Sequence, residues 1–436
     1  MYLRNISGAS AIILLFVFAS VLSKFDLPFE IFFLLSTMYS IFYLLPKFIF
    51  LAGWKRQSFV NVFHYFLLFY IAIIFVFSTI ADINDKSLPH FWNLKSILVF
   101  VSVLLLNIVV LKTPEHNIKR TLELIKKISF FIVFESILSY FLPNSINIFI
   151  SDFEAGYRFT SFLMPGYILT GIFLILGYTS YLFLNKSKFS YKSIIVFLLF
   201  SFALIQTQDR TSILTFLFVN IFVLYKNTSS KVFILSLYKK LFFLVQIFLM
   251  VAVVFFAMQN IGERKNFLSL SSVIDRYTLF VRGVNITKEV FPIGGGPGSQ
   301  VRLMFSEKIP FNQEVDPYGD YKEIRKKSRK GVSFREDFNY SKEYVRKRVG
   351  SGKTMSPHNT YMDFSISLGL IGILFSLGII FIQFRAVVSV LIYQDRSTYF
   401  LSVFLACSFI LLMNSSLINS FWILVILYKA LEIRNQ

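Results

Sequence analysis

Apolar runs of membrane-spanning length recur along nearly all of the 436 residues of this chain. Roughly 20 apolar residues in an α-helix cross the hydrocarbon core of a bilayer, and somewhat shorter runs do so with local thinning. The chain is 56% hydrophobic and contains 55 Phe, which is more apolar side chain than a soluble core of this length requires. The sequence therefore predicts an all-α polytopic membrane protein of about twelve transmembrane helices. These helices are expected at 7–23, 29–46, 60–80, 96–111, 128–147, 162–184, 193–208, 212–225, 240–260, 359–384, 398–413 and 417–430.

The basic residues between the apolar runs predict the orientation of the helices. Lysine and arginine concentrate in every second gap, including the gaps at 112–127, 186–192 and 226–240. The positive-inside rule places these gaps, and both termini, in the cytoplasm. The formal net charge of +20 is thereby explained without nucleic acid, which is not expected as a partner. The first apolar run is interpreted as a retained anchor, because no clear small-residue cleavage site precedes Lys24.

This topology divides the chain into three parts. Residues 1–260 contain the first nine helices, residues 261–357 form one large loop on the outer side, and residues 358–436 contain the last three helices. The loop is strongly basic, which is explained either by attraction to an anionic lipid surface or by attraction of an anionic substrate such as a lipid diphosphate. The single cysteine, Cys407, excludes a disulfide or a thiolate metal site within one chain.

A histidine lies where the large loop returns to the membrane. Ser356 and Pro357 precede a long apolar run, which is typical of a helix start with Ser356 as N-cap. His358 would then stand at the helix N-terminus, where the helix dipole disfavours imidazolium and leaves the ring able to accept a proton. His358 is therefore a candidate general base. The alternative is a polar anchor at the membrane interface.

A glycine-rich segment lies upstream of this histidine. Residues 291–299 read Phe-Pro-Ile-Gly-Gly-Gly-Pro-Gly-Ser. The segment lacks the Gly-Lys-Ser/Thr ending of a nucleotide-binding P-loop and lies on the outer side, so a P-loop is excluded. One interpretation is that backbone N–H groups at Gly294, Gly296 and Gly298 bind an anion. The other is a tight turn where the loop re-enters the protein.

Four arginines on the predicted outer side are candidates for binding phosphate, because a planar guanidinium matches phosphate geometry. Arg276 precedes the glycine-rich segment in a predicted amphipathic helix that also contains Arg282. Arg210 lies in a gap so short that it must be near the membrane interior, where an ionisable group is a functional-site hypothesis. Pairing with Asp209 is the alternative explanation for Arg210. The fourth candidate is Arg158.

Together these features resemble the O-antigen polymerase and O-antigen ligase superfamily. His358-Asn359, followed at the family's spacing by Gly369 and Gly372, matches the motif that opens the helix after the large periplasmic loop. Residues 292–298 resemble the family's P-x-x-G-x-G-P-G element, and Arg276 precedes them at about the family's spacing.

Two further elements resemble the family with one departure each. The segment around Arg210 is similar to the family's S-R-S/T helix end, with Asp209 in place of the usual serine. Arg158 resembles the family's earlier periplasmic arginine before a Pro-Asn pair, but Gly166 replaces the asparagine.

The resemblance implies a C-type glycosyltransferase in the bacterial inner membrane that uses undecaprenyl-diphosphate-linked glycans, without nucleotide sugar, cofactor or metal. Arg276 and Arg210 would stabilise charge on the diphosphate leaving group, and His358 would accept the proton of the acceptor hydroxyl. The expected partners are the lipid-linked glycan, membrane lipid and a chain-length regulator protein. The residues implied in substrate binding are Arg158, Arg282, Asn359, Gly294, Gly296 and Gly298.

The predicted activity is that of a polysaccharide polymerase of the O-antigen or capsule type. A ligase of the same superfamily, which moves the finished glycan onto lipid A core or onto a protein, is the nearest alternative. A non-enzymatic flippase is an alternative of another class. The long one-sided loop and the absence of a visible sequence repeat argue against a transporter.

Overall fold

The computed structural model describes residues 8–25, 27–49, 69–70, 91–141, 150–151, 158–185, 191–228, 248, 280, 283–296, 299, 303, 359–392, 398–414 and 421–431. Within these ranges the chain forms ten α-helices, one 3-10 helix (Ser23–Phe25) and one pair of short antiparallel strands. The helices are α1 (Ala9–Leu22), α2 (Ile31–Ile49), α3 (Phe91–Lys112), α4 (Glu115–Phe141), α5 (Tyr167–Leu184), α6 (Tyr191–Thr207), α7 (Arg210–Thr228), α8 (Thr360–Ile392), α9 (Tyr399–Asn414) and α10 (Phe421–Leu431). The strands are β1 (Ile150–Ser151) and β2 (Arg158–Phe159), with Ile150 opposite Phe159 and Ser151 opposite Arg158.

The predicted helical membrane architecture is confirmed, but the number of spans is not. Among the described residues, α5 and α8 are long and apolar enough to cross a membrane. A third span is obtained if 98–112 and 115–141, which meet at a bend of 118°, are counted as one. The other apolar helical stretches found among the described residues are 10–17 residues long, for example 31–44 of α2 and 210–222 of α7. The predicted spans at 60–80 and 240–260 lie outside the described residues, apart from 69–70 and 248.

The fifth predicted helix begins earlier than the sequence indicated. We expected a cytoplasmic gap at 112–127, whereas α4 starts at Glu115, directly after Pro114. The Pro114 carbonyl accepts hydrogen bonds from the N–H groups of Asn117 (3.0 Å) and Ile118 (3.2 Å) and so starts the helix. The basic residues of this gap lie on the outside of the helix while its apolar face is buried, so a charged stretch is compatible with helix here.

Hydrogen bonds at the two ends of the helices fix their directions. The N–H of Ala9 donates to Thr113 Oγ1 (3.1 Å), so α1 starts beside the corner between α3 and α4. At the far end of α4, the Glu135 carboxylate accepts a hydrogen bond from Ser161, shortly before α5. We call the end that holds Thr113 the inner end and the end that holds Glu135 the outer end, following the predicted orientation.

The helices that carry the candidate site elements start at the outer end. Besides α5, these are α7, whose first turn packs against α5 near its start, and α8. The Tyr399 hydroxyl donates to the carbonyl of Phe222 (2.8 Å), so α9 starts at the inner end of α7. The Asn359 amide nitrogen lies 3.6 Å from Met413 Sδ, so the end of α9 is beside the start of α8. The starts of α5, α7 and α8 therefore share one end of the protein.

Aromatic side chains connect the helices in the core. The Phe16 ring of α1 lies 5.3 Å from Phe32 of α2, 5.6 Å from Phe173 of α5 and 5.5 Å from Trp422 of α10, centroid to centroid. Stacked and edge-to-face aromatic pairs contribute about 0.5–1.5 kcal/mol each beyond their buried area. Phenylalanine in this chain therefore forms the contacts between helices as well as the face towards lipid.

Asn107 of α3 is a buried amide beside α8 that has no hydrogen-bond partner among the described residues. Asn107 lines a small cavity together with apolar side chains of α3, α8 and α10, and it is fully buried. Neither its amide nitrogen nor its oxygen has a partner among the described residues. A buried polar group without a partner costs about 1–3 kcal/mol.

Replacing this amide by an apolar side chain of similar size should stabilise the protein. We expect Asn107→Leu to raise the thermal unfolding midpoint of the protein in detergent, because it removes two unpaired polar atoms from apolar surroundings. Asn220→Leu is the matched control, since the Asn220 amide accepts from the Tyr178 hydroxyl (2.7 Å) and donates to the Phe216 carbonyl (2.8 Å). That variant should lower the midpoint. A lower midpoint for both variants would contradict the prediction.

Candidate active site

The turn between α6 and α7 places Arg210 at the outer end. The chain reverses between Thr207 and Arg210, with Gln208 at a φ of 52°. Asp209 caps α7, because its carboxylate oxygens accept the N–H groups of Thr211 and Ser212, each at 3.3 Å. Serine is an equally good N-cap residue, so the aspartate found here in place of the family's usual serine is compatible with a capped helix start.

The geometry of this turn suits an anion. Arg210 is the first residue of α7 and is partly exposed, at a helix end that carries a partial positive charge. The alternative explanation was that Asp209 pairs with Arg210. Both oxygens of Asp209 accept hydrogen bonds within the first turn of α7, so this carboxylate caps the helix, and its pairing with Arg210 stays a prediction.

Arg158 lies on a neighbouring segment. Its backbone forms β2, opposite Ser151, and β2 contacts α6. The outer end of α6 leads directly into the turn that carries Arg210. The two arginine-bearing segments therefore both border α6, while the side chain of Arg158 lies outside the described part of the structure.

The helix that follows the large loop is broken in its first third. Within α8, Gly369 has φ 56° and ψ −130°, which is outside the helical region. A break in a membrane helix releases backbone groups that must be satisfied by protein or water. Here the glycine-rich segment 292–296 supplies the partners. Three backbone hydrogen bonds join this segment to α8. The N–H groups of Gly295 and Gly296 donate to the carbonyls of Ile366 (2.8 Å) and Ser367 (3.0 Å), and the N–H of Leu370 donates to the carbonyl of Pro292 (2.8 Å).

Two glycines permit this close approach of backbone to backbone. A Cβ at Gly369 would lie 2.2 Å from the Pro292 carbonyl oxygen, and a Cβ at Gly294 would lie 2.4 Å from the Gly369 nitrogen. Both glycines also have positive φ, at 56° and 91°, which other residues rarely adopt. The two glycine elements of the family resemblance therefore contact one another in the folded protein.

These bonds decide between the two interpretations of the glycine-rich segment. The N–H of Gly294 donates to the Val290 carbonyl (2.8 Å), and those of Gly295 and Gly296 donate to α8. Since these three N–H groups are bonded within the protein, the structure favours a tight re-entry turn over anion binding at Gly294 and Gly296. Gly298 lies outside the described residues.

The start of α8 differs from the prediction. We expected Ser356 as N-cap, but α8 begins at Thr360 and Asn359 caps it. The Asn359 side-chain oxygen accepts the N–H of Met362 (3.1 Å), and its carbonyl accepts the N–H of Asp363 (3.0 Å). The Ser356 prediction is wrong because the asparagine amide, three residues later, satisfies the free N–H groups of the first turn.

Both the oxygen and the nitrogen of the Asn359 side-chain amide therefore have partners in the protein. The nitrogen points at Met413 of α9, and the residue is only 3% exposed. These contacts give Asn359 a structural role at the helix start, and a direct contact with substrate stays a prediction. His358 immediately precedes this cap and lies outside the described residues.

The other site predictions fall on parts of the chain that the structure does not describe. These are Arg276 and Arg282. The roles assigned to them, and to His358, stay predictions. Among the described residues, no group of three or more His, Cys, Asp or Glu side chains is placed to hold a metal ion.

Glu135 is a carboxylate within the apolar run predicted as a helix at 128–147, and no catalytic role was predicted for it. In the structure this carboxylate is 3% exposed and accepts a hydrogen bond from Ser161, three residues after Arg158. Lys24, in the 3-10 helix that follows α1, is near enough to interact with it electrostatically. Burial lowers the pKa of the Lys24 ammonium, and the Glu135 carboxylate offsets part of that effect. A carboxylate within an apolar run was the available signal.

One family comparison covers the central elements of this site. The model of the O-antigen ligase family matches residues 195–377, which include Arg210, the glycine-rich segment, Asn359 and the break in α8. No curated protein and no solved structure matches the chain. The family match agrees with the resemblance seen in the sequence elements at 208–212, 292–298 and 358–372. Over this region the chain is similar to the O-antigen ligase family.

Proposed function

We propose that this chain is a glycosyltransferase that joins undecaprenyl-diphosphate-linked repeat units into a polysaccharide at the outer face of the bacterial inner membrane. The observation that supports it best is the docking of the glycine-rich segment onto the broken helix α8. Two family elements that are distant in sequence meet there, at the same end of the protein as Arg210.

The reaction exchanges one bond for another. An acceptor hydroxyl oxygen, at the sugar end of a newly exported repeat unit, forms a bond to the anomeric carbon of the donor glycan. The bond between that carbon and the diphosphate oxygen breaks, and undecaprenyl diphosphate leaves with the electron pair. The hydroxyl proton passes to a base.

Each proposed residue has one task in this reaction. Arg210 and Arg276 stabilise the negative charge that develops on the diphosphate, since guanidinium binds two phosphate oxygens at once. His358 accepts the hydroxyl proton. Arg158 and Arg282 hold the diphosphate of the bound substrate. The described part of the site supports this arrangement through Arg210, which lies at the start of a helix and is partly exposed.

Ligation is the second candidate activity, because the matching family model is described as O-antigen ligase. A ligase uses the same donor and the same leaving group but a different acceptor, namely lipid A core or a protein. The chemistry required of the arginines and the histidine is unchanged. The two activities therefore differ in their products.

Deletion of the gene in its host should distinguish them. If the chain is a polymerase, we expect single repeat units on the final acceptor, because ligation still proceeds. If it is a ligase, long chains should accumulate on undecaprenyl diphosphate. Gel analysis of surface glycan and of extracted lipid-linked glycan measures both.

Purified protein provides the matching test in vitro. A polymerase should lengthen lipid-linked glycan in detergent, whereas a transporter would leave its chain length unchanged. A normal glycan ladder in the deletion strain, together with no change of chain length in detergent, would refute the proposal.

A further inference from the structure

The outer end of α4 carries a group of polar side chains that the proposed reaction does not use. Glu135 is buried, and its carboxylate accepts a hydrogen bond from the Ser161 hydroxyl and lies near the backbone N–H of Phe162. Ser161 Oγ in turn accepts the N–H of Leu163 (3.1 Å). The α4 carboxylate therefore holds the segment that directly follows Arg158.

The next residues of α4 hold a second segment. Ser136 and Ser139 donate hydrogen bonds to the side-chain oxygen of Gln206, at 3.0 Å and 3.3 Å. Gln206 lies in the last turn of α6, just before the turn that carries Arg210. The same short stretch of α4 thus contacts the two segments that carry Arg158 and Arg210.

The polar side chains and the phenylalanines of this stretch lie on different faces of α4. On the same stretch of α4, Phe131 and Phe134 are 48% and 54% exposed, on the face suited to lipid. The polar side chains point the other way, into the protein. A carboxylate in this setting is costly unless it is hydrogen-bonded. An apolar helix would pack without that cost, so the polar contacts require a reason beyond membrane insertion.

We propose that Glu135, Ser136 and Ser139 form a polar bracket that sets the position of the Arg158 segment relative to the Arg210 turn. The three are positioning residues, and they act on the diphosphate through the two arginine-bearing segments. This inference rests on the proposed function, in which both arginines bind the same diphosphate. Small displacements of groups that align a reaction can lower its rate by up to about 10²-fold.

Substitutions at Glu135 test the bracket through kinetics. Glu135→Leu should lower kcat at least about tenfold, because the charge on the leaving group develops in the transition state. The KM for the acceptor should change much less. Glu135→Gln retains an oxygen that accepts from the Ser161 hydroxyl and should recover most of the activity. Phe134→Leu, its neighbour on the lipid-facing side, is the matched control and should behave like wild type.

A second measurement does not depend on activity. Cys407 is the only cysteine and is buried, so a Cys407→Ala background permits single reporter thiols. Phe162→Cys reports on the held segment, and Lys192→Cys reports on the exposed inner end of α6. With Glu135→Leu, maleimide labelling at position 162 should become several-fold faster while labelling at 192 stays unchanged. Glu135→Gln and Phe134→Leu should leave both rates unchanged.

Some results of these experiments would overturn the bracket, and another would overturn the proposed function. Wild-type kcat for Glu135→Leu overturns the bracket whether or not labelling at 162 changes. A loss of activity that Glu135→Gln does not recover, with labelling at 162 unchanged, also overturns it, because the carboxylate would then act without holding the segment. If the wild-type protein extends and transfers no glycan, the proposed function fails, and the labelling rates still show whether α4 holds the segment.

Discussion

Gly369→Ala is expected to lower glycan polymerisation at least about 100-fold. The added methyl group would meet the Pro292 carbonyl at 2.2 Å and would have to be accommodated at a positive φ. The glycine-rich segment would therefore separate from α8 and leave Ile366 O, Ser367 O and the Leu370 N–H without their partners. Because the half-helix that begins at Asn359 ends at this break, its start would shift as well. The measurement is the rate of chain extension by purified, monodisperse protein.

The same helix offers a matched control. Gly378 also lies in α8, but a Cβ there has no neighbour within 4 Å, so Gly378→Ala should retain wild-type activity. Gly294→Ala should reproduce the defect of Gly369→Ala, since its Cβ would meet the other side of the same contact at 2.4 Å. The double variant should be little worse than either single one, because both substitutions disrupt one contact. Full activity of Gly369→Ala would show that the docking of the glycine-rich segment is dispensable.

The helices and the positions of the candidate site elements could be predicted because both are encoded locally. Apolar runs identified α5 and α9 to within a few residues: 162–184 was predicted for Tyr167–Leu184, and 398–413 for Tyr399–Asn414. The turn at Arg210 was recognised from five consecutive residues. Hydropathy and short motifs report what a stretch of chain does by itself.

The contacts between distant segments could not be predicted in the same way. The sequence of the glycine-rich segment was compatible with two structures, an anion-binding loop and a tight turn. The choice depended on Ile366 and Ser367, far along the chain, whose carbonyls accept its N–H groups. Similarly, Ser356 and Asn359 are both good N-cap residues, and local preference does not choose between them. In the structure the N-cap is Asn359, whose side chain also contacts Met413 of α9.

The hydrogen-bond partners of Glu135 could not be predicted from the sequence either. Its position within an apolar run was visible, but its partners were not, because Ser161 and Phe162 reach it only once α4 and α5 pack together. The start of α4 was misplaced for a related reason. Charge alone indicated a loop at 112–127. The apolar residues of that stretch recur at helical spacing between the basic ones, which is compatible with a helix that buries one face.

His358→Ala is expected to nearly abolish chain extension. A general base contributes on the order of 10² to 10⁴ in rate, and this histidine immediately precedes the cap that fixes the start of α8. His116→Ala is the matched control, because His116 is an exposed histidine in the first turn of α4, at the inner end. That variant should extend glycan like wild type. Both proteins should be present in the membrane in equal amount, since neither substitution removes a described core contact.

His358→Gln separates the two chemical roles that a histidine could have at this position. A glutamine amide donates hydrogen bonds to phosphate oxygen but cannot take a proton at neutral pH. If His358 is the base, the glutamine variant should be as inactive as the alanine variant, at every donor concentration. If His358 instead holds the diphosphate, glutamine should restore substantial activity and alanine should mainly raise the donor KM. Wild-type activity in His358→Ala would assign the residue to the membrane interface and would leave the proton of the acceptor hydroxyl to another group.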